Sequence, residues 1–429
     1  MTAHLPPGYR LEPLDESRKR DIYDLDAWAF PIATSLDDLL ATASPLPWDR
    51  TFGVVAPDAR AGELAAMYAS YPFQRFPVPG GELPAGGLTW VGVHPQHRRR
   101  GILTAMIDDD LARCATRGEP LAALFAAEYA IYGRFGYGRA ADDLRLEIPR
   151  GTALRDVAGA DQHTVRIEHA SQEAHGELVA HIHRAAGRAP TGVEGLNRPG
   201  WVTRETPELQ ASFWDDSPVW RQGRESARIV IVERDGAPRG YCRLRRKLDW
   251  ETAGPRGQVS AGEVVALDAA AARALWGVLL DLDLSSVVAP FLIPVDDVVT
   301  QLLVDRRAAL PRLADNLWVR LVDVGAALAG RRYAADVDVV VGVRDDRLPA
   351  NAGSWRLQAG AFGNGSCERT DAPADLELDV RELGAAYLGG VTLAALAAAG
   401  SVTERTPGAL ARAAAAFAWP IAPGASWVF

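Results

Sequence analysis

Cysteine is scarce in this chain, with three in 429 residues. Cys114, Cys242 and Cys367 lie too far apart for a disulfide framework or a compact thiolate metal site, so three free thiols and no metal are expected. Long apolar runs are missing as well. Nothing approaches the roughly 20 residues needed to cross a bilayer, and residues 1–10 lack a basic patch followed by an apolar stretch, so neither a membrane association nor a signal peptide is expected and the location should be cytoplasmic. Positive charge is in deficit. A formal net charge of −9 disfavours nonspecific nucleic-acid binding, which needs a phosphate-neutralising surface, and biases the chain towards cationic small molecules.

What is present fits a multidomain α/β protein. The length exceeds one ordinary core and suggests two or three domains, and 48% hydrophobic with 24% charged residues is a globular composition. Local patterning divides the chain into three units, residues 1–155, 156–310 and 311–429. In the first, 9–13 reads as a strand, 15–30 as a helix, 51–56 and 62–70 as antiparallel strands, and 87–93 and 121–126 as further strands. The stretch 77–87, dense in proline and glycine, reads as a loop or strand turn. Between the last two strands, Leu103, Met106, Ile107, Leu111 and Cys114 recur at helical spacing and predict a helix over 100–116. The second unit repeats a strand-then-helix order at 264–267 and 269–282, after a hairpin marked by Asp235-Gly236, which suggests a degenerate internal copy. In the third, 318–321, 337–343 and 355–359 read as strands, 376–380 as an edge strand, and 324–330, 380–388, 393–399 and 407–417 as helices.

The most informative stretch runs from Trp90 to Thr104. A strand ends near Val93, a short turn carries Arg98, Arg99 and Arg100, and Gly101 opens an amphipathic helix. Backbone N–H groups at a helix start have no intrahelical partner and suit phosphate oxygens. Glycine lets the backbone approach closely, and the arginines add charge-assisted donors. A solvated basic run would look similar, but its place between a strand end and a glycine-started helix favours an anion site.

Here the sequence resembles the GNAT superfamily, whose acetyl-CoA turn reads Arg/Gln-x-x-Gly-x-Gly/Ala. The matching residues are Arg98 to Leu103, with Leu103 departing from the usual small residue. A second motif, Ala127-Glu-Tyr-Ala-Ile-Tyr132-Gly-Arg-Phe-Gly-Tyr-Gly138, resembles the Eis (enhanced intracellular survival) family of N-acetyltransferases, as do Asn316–Arg320, Ala386–Gly389 and the terminal Phe429. The resemblance spans almost the whole chain. It implies two GNAT-like domains with mixed central sheets, the second without cofactor, a sterol-carrier-protein-like α+β C-terminal domain, and a hexamer. It further implies acetyl-CoA as co-substrate, held by Val91, Gly92, Val93, Arg98, Arg99, Arg100, Gly101, Ile102, Leu103, Thr104, Ala127 and Glu128. The implied reaction is acetylation of primary amines on aminoglycoside-like or other cationic acceptors.

The chemistry needs a neutral amine, a base to take its proton, and an acid for the departing thiolate. A tyrosine near pKa 10 can donate to a thiolate whose thiol ionises near roughly 8.5, and the resemblance gives that role to Tyr132. It gives the base role to the terminal carboxylate of Phe429, which burial beside apolar groups would make more basic than its usual value of about 3.5. The apolar ending Ala425-Ser-Trp-Val-Phe429 reads as a docked terminus, whereas most termini fray. Trp28, Phe30 and Trp90 are candidates for an amine pocket, though each also suits a core, and Val428 supplies no acid for a polyamine. Cys114 reads as core, His94 and His97 as capping or surface groups, and His181 and His183 as a poor metal pair, being two apart on a helix. Two rival functions remain at this level: a carrier of an apolar ligand with a vestigial acetyltransferase, and a protein-lysine acetyltransferase.

Overall fold

The computed structural model describes residues 4–31, 34–60 and 62–429, so residues 1–3 of the first expected unit lie outside the described residues. Five strands open the molecule: β1 (Arg10–Pro13), β2 (Thr51–Val55), β3 (Ala66–Val78), β4 (Gly81–Val93) and β5 (Leu121–Leu124). Helices α1 (Lys19–Ala29) and α2 (Leu36–Leu40) lie between β1 and β2, and α3 (Ile102–Arg117) crosses from β4 to β5. The β1–β4 pairs are antiparallel, while β4 and β5 run parallel because the helix carries the chain back across the sheet.

The segment 77–87 is strand, not loop. Its tight turn is confined to residues 79–80, between β3 and β4. The prolines fit because Pro84 falls where the register shifts between Phe73 and Phe76, so its missing N–H breaks no ladder bond.

A larger correction concerns Trp318–Leu321. Local pattern placed it at the head of the third unit, but it pairs antiparallel with β5 and, on its other side, with Gly138–Arg139, completing the first seven-stranded sheet. The helix Val380–Tyr387 packs on that insertion. A Cβ at Gly138 would sit 2.1 Å from the carbonyl oxygen of Arg381, so only glycine allows this approach. One apolar cluster therefore runs from Phe73 and Phe76 through Val319 to Leu383 and Phe417, and includes Phe429.

The second sheet orders its strands Ile148–Pro149, Ser285–Pro290, Gly257–Ala266, Ala237–Lys247, Arg228–Arg234 and Thr164–His169. It repeats the antiparallel run followed by one parallel crossover through the helix Ala269–Leu279. At that helix start the cap is Asp268, whose carboxylate accepts from Ala271 N at 2.8 Å and pairs with Arg239. A carboxylate there occupies the N-terminal donors and repels phosphate, unlike the glycine that opens α3. The third sheet has five strands. Leu376–Asp379 lies inside it, between Val337–Arg344 and Val402–Glu404, and is not an edge strand; its alternating acidic residues reflect one wet face. No helix among the described residues is long and apolar enough to cross a membrane.

Candidate active site

The site begins where β4 and β5 part. They pair only as far as Gly87 and Ala123. Beyond this, β4 carries a bulge at Trp90, whose φ is 52°. His94 N donates to Ala65 O at 2.9 Å, so by strand alternation the backbone groups of Val91 and Val93 face away from β3, into the opening. Arg98 Nε lies 3.4 Å from Val93 O on that side.

At the end of the opening α3 starts. Gly101 has φ 85° and meets nothing within 4 Å, so backbone conformation rather than space requires glycine. No side chain caps this helix. The N–H groups of Ile102, Leu103 and Thr104 are left for an anion, at the positive end of the helix dipole. A cavity of about 590 Å³ follows this path. Its walls include Val91, Gly92, Val93, Arg98, Arg99, Gly101, Ile102, Leu103, Thr104, Ala127 and Glu128. Arg100, expected with them, turns away: its Nη1 donates to the Tyr9 hydroxyl at 3.0 Å. An extended, phosphorylated carrier such as coenzyme A fits this cradle of uncapped N–H groups, guanidinium groups and unpaired strand edge.

A second cavity, of about 660 Å³, meets the first at Phe30, Val91, Ala127 and Tyr132. Tyr132 ends a short helix, Tyr129–Tyr132, and is 8% exposed. Burial and then the nearby Glu128 push its phenol up to about 12, so it stays protonated at neutral pH. Rings of Phe30, Tyr71, Trp90, Phe125, Phe213 and Trp427 line the second cavity, together with Asp26, Asp315, Arg145, Arg204 and Phe429. Trp28 is not among them; it is 57% exposed and packs edge-on against His94. Asp26 went unnoticed in the sequence. Burial raises its carboxyl to about 6. The signal was available, since Asp26 stands four residues before Phe30 and shares its side of the helix. Of the four charged side chains, Arg145 pairs with Asp143 at 2.8 Å and Arg204 with Glu263 at 3.0 Å. The carboxylates of Asp26 and Asp315 are left to set the sign of the cavity.

The tail reaches this cavity under tight control. Ala422 N bonds Asp296, Gly424 N bonds Pro199 O, and Ala425 exchanges bonds with the Asn316 side chain at 2.9 and 3.2 Å. Ser426 is buried between His183 Nε2, at 2.7 Å, and Glu263 Oε1, at 2.9 Å. Burial works to raise the Glu263 carboxyl, but Arg204, His183 and Tyr241 outweigh it and hold it down to about 2, while burial holds His183 down to about 4. A neutral imidazole thus donates to the serine oxygen, and the serine donates to the carboxylate. Trp427 Nε1 bonds Val202 O at 2.8 Å. Phe429 then lands with its ring centroid 4.8 Å from that of Phe73 and 5.2 Å from that of Phe125. His183 and Glu263 were invisible to local pattern because their partner lies more than 160 residues away. The one hint was a serine within an apolar tail.

Of the remaining candidates, His97 also lines the first cavity, while His94 and Cys114 do not. Cys114 is buried under the sheet, and burial raises its thiol. His97 Nδ1 lies 2.9 Å from the Tyr9 hydroxyl, and His94 accepts from Gln96 N. Among the described residues no group of three or more metal-ligating side chains gathers.

Comparison with known proteins agrees with this geometry. Residues 10–140 and 200–321 each match an acetyltransferase (GNAT) domain family, and residues 324–426 match a sterol carrier protein domain family. The chain is 43% identical over 379 residues to an uncharacterized N-acetyltransferase of Streptomyces coelicolor, covering 87% of this chain and 88% of that one. It is 34% identical over 399 residues to N-acetyltransferase Eis of Mycobacterium tuberculosis, covering 90% and 92%. The crystal structure of Eis1 from Mycobacterium abscessus superposes with a TM-score of 0.77 at 30% identity, covering 98% and 100%.

Proposed function

The chain belongs to the Eis family of GNAT acetyltransferases, and from that premise we propose that it transfers the acetyl group of acetyl-CoA to a primary amine of a cationic acceptor, aminoglycoside-like or smaller. The single observation that carries this reading is the meeting of the two cavities at Tyr132, with Phe429 on the acceptor side. Acetyl-CoA supplies the activated acyl group as a thioester. The uncapped start of α3 holds its diphosphate, and the free edge of β4 aligns its pantetheine arm as one more strand would lie. The amine enters from the acceptor cavity, where Asp26 and Asp315 attract it as a cation and the aromatic walls exclude water. The cation first gives one proton to solvent to become the neutral nucleophile. As it attacks, the Phe429 carboxylate takes a second N–H proton and the Tyr132 hydroxyl donates to the sulfur as the carbon–sulfur bond breaks. The proton held by the carboxyl group then restores the phenol through solvent. By family resemblance the assembly is proposed to be a hexamer, which light scattering reads directly.

A thiol-release assay with acetyl-CoA and a panel of aminoglycosides, polyamines, arylalkylamines and lysine peptides tests the function. Release should depend on a small cationic amine. Release with lysine peptides alone would replace this reading by a protein-directed one.

Asp26 makes the acceptor site pH-dependent. With its carboxyl near 6, it is charged above that pH and neutral below. KM for a cationic amine should rise as pH falls through about 6, and Asp26→Asn should have a KM about tenfold higher at pH 8, equivalent to ~1.4 kcal/mol, with little further change on acidification. An unchanged KM would remove Asp26 from acceptor binding.

A further inference from the structure

We propose that Arg347, acting with Arg134, seats the second phosphate of coenzyme A, the one on the adenosine ribose, so that the third unit completes a cofactor site the first unit only begins. This rests on reading the 590 Å³ cavity as the acetyl-CoA site. Arg347 follows the strand Val337–Arg344 of the third unit, yet its side chain forms part of that cavity wall, as does Arg134.

The position of Arg347 is built from below. Asp345 accepts the backbone N–H of Arg347 at 3.1 Å and of Leu348 at 3.0 Å. The same carboxylate is gripped by Arg320 Nη2 at 2.8 and 2.7 Å and by Asn351 Nδ2 at 3.0 Å. Arg320 and Asp345 are almost wholly buried, and breaking such a pair from one side is costly, so the loop has little freedom. Arg320 itself belongs to the strand that completes the first sheet. The loop is therefore referenced to the cofactor-binding unit, not only to its own.

The guanidinium groups are poised for an anion. Arg347 Nη1 donates to Asp108 at 2.6 Å, its Nε reaches the Arg134 carbonyl only at 3.5 Å, and its Nη2 has no acceptor among the described residues. Arg134 and Arg347 both lie against the Phe135 ring, at 4.8 and 4.7 Å from its centroid. Both arginines line the cavity wall, and the unused Nη2 of Arg347 leaves a charge-assisted donor for a phosphate oxygen. The spacing also fits. Asp108 stands four residues after Thr104, so Arg347 is held about 6 Å further along the same face of α3 than the diphosphate seat. Coenzyme A carries its ribose phosphate a few bonds beyond its diphosphate, whereas 3′-dephospho-coenzyme A keeps only the diphosphate.

Calorimetric titration of the full chain with the two ligands tests the assignment. Wild type should bind coenzyme A at least about tenfold more tightly than the dephospho form. Arg347→Gln should lose that preference by weakening coenzyme A alone. Asp108→Asn removes the charge but keeps an oxygen that accepts from Arg347 Nη1, so the guanidinium stays in place and the preference should remain. Equal weakening of both ligands by Arg347→Gln, no weakening at all, or the same loss in Asp108→Asn would overturn the assignment. Failure of wild type to bind either ligand would instead sink the cofactor reading beneath it.

Discussion

Tyr132→Phe is expected to cut kcat by about 10²–10⁴-fold, the range for losing a positioned general acid, with the affinity for acetyl-CoA nearly unchanged. The hydroxyl lies at the junction of the two cavities, away from the phosphate cradle at Gly101, so its loss should be felt in the chemical step and not in cofactor capture. The pH profile sharpens the test. Because burial keeps this phenol protonated up to about 12, it does not titrate in the working range. The variant should lower the profile without changing its shape. The burial that raises the phenol also raises the proton affinity of a thiolate formed beside it, so donation remains favourable as that charge develops. Full activity in Tyr132→Phe, or loss of acetyl-CoA binding in calorimetry, would refute the acid role.

A one-residue glycine extension after Phe429 is expected to reduce turnover by at least about 10²-fold, while melting temperature and acetyl-CoA affinity hold. One residue moves the carboxylate by up to about 3.5 Å, more than the whole tolerance of a hydrogen bond. The anchors at Ala422, Gly424, Ala425, Ser426 and Trp427 stay in place, and they prevent the tail from sliding back to compensate. The extended chain should thus remain folded with its base in the wrong position. Unchanged kcat would clear the Phe429 carboxylate of any role.

The cavity at the start of α3 was legible because its signal is local. A strand end, a basic turn and a glycine-started helix occupy one stretch of sequence, and Val91–Val93, His97–Arg99 and Gly101–Thr104 line one cavity. The three arginines looked equivalent in sequence, but consecutive side chains cannot all point one way, and a hydroxyl at Tyr9 claimed the third. Trp28 and Phe30 failed as a pair for a related reason: two residues apart at the end of a helix, they face different directions. Asp26 was overlooked because a carboxylate on a surface helix ordinarily marks the wet side. The proline-rich stretch 77–87 misled because composition reports average preference, while a bulge in the register gives Pro84 a place in a strand. What no local pattern could convey was pairing across long separations: Ser426 with His183 and Glu263, and Trp318–Leu321 with β5.

That last pairing bears on how the protein is made. A chain emerging from the ribosome at about 5–20 residues per second exposes β5 long before its neighbour appears. Residues 125–317 separate β5 from Trp318–Leu321, so the gap lasts on the order of 10–40 s at that pace. Through this interval a buried-type strand, Leu-Ala-Ala-Leu, presents an open edge able to pair with any extended segment nearby. The first unit thus carries an unpaired sheet edge until the rest of the chain is made, and the same unit severed from the remainder is expected to be prone to aggregation.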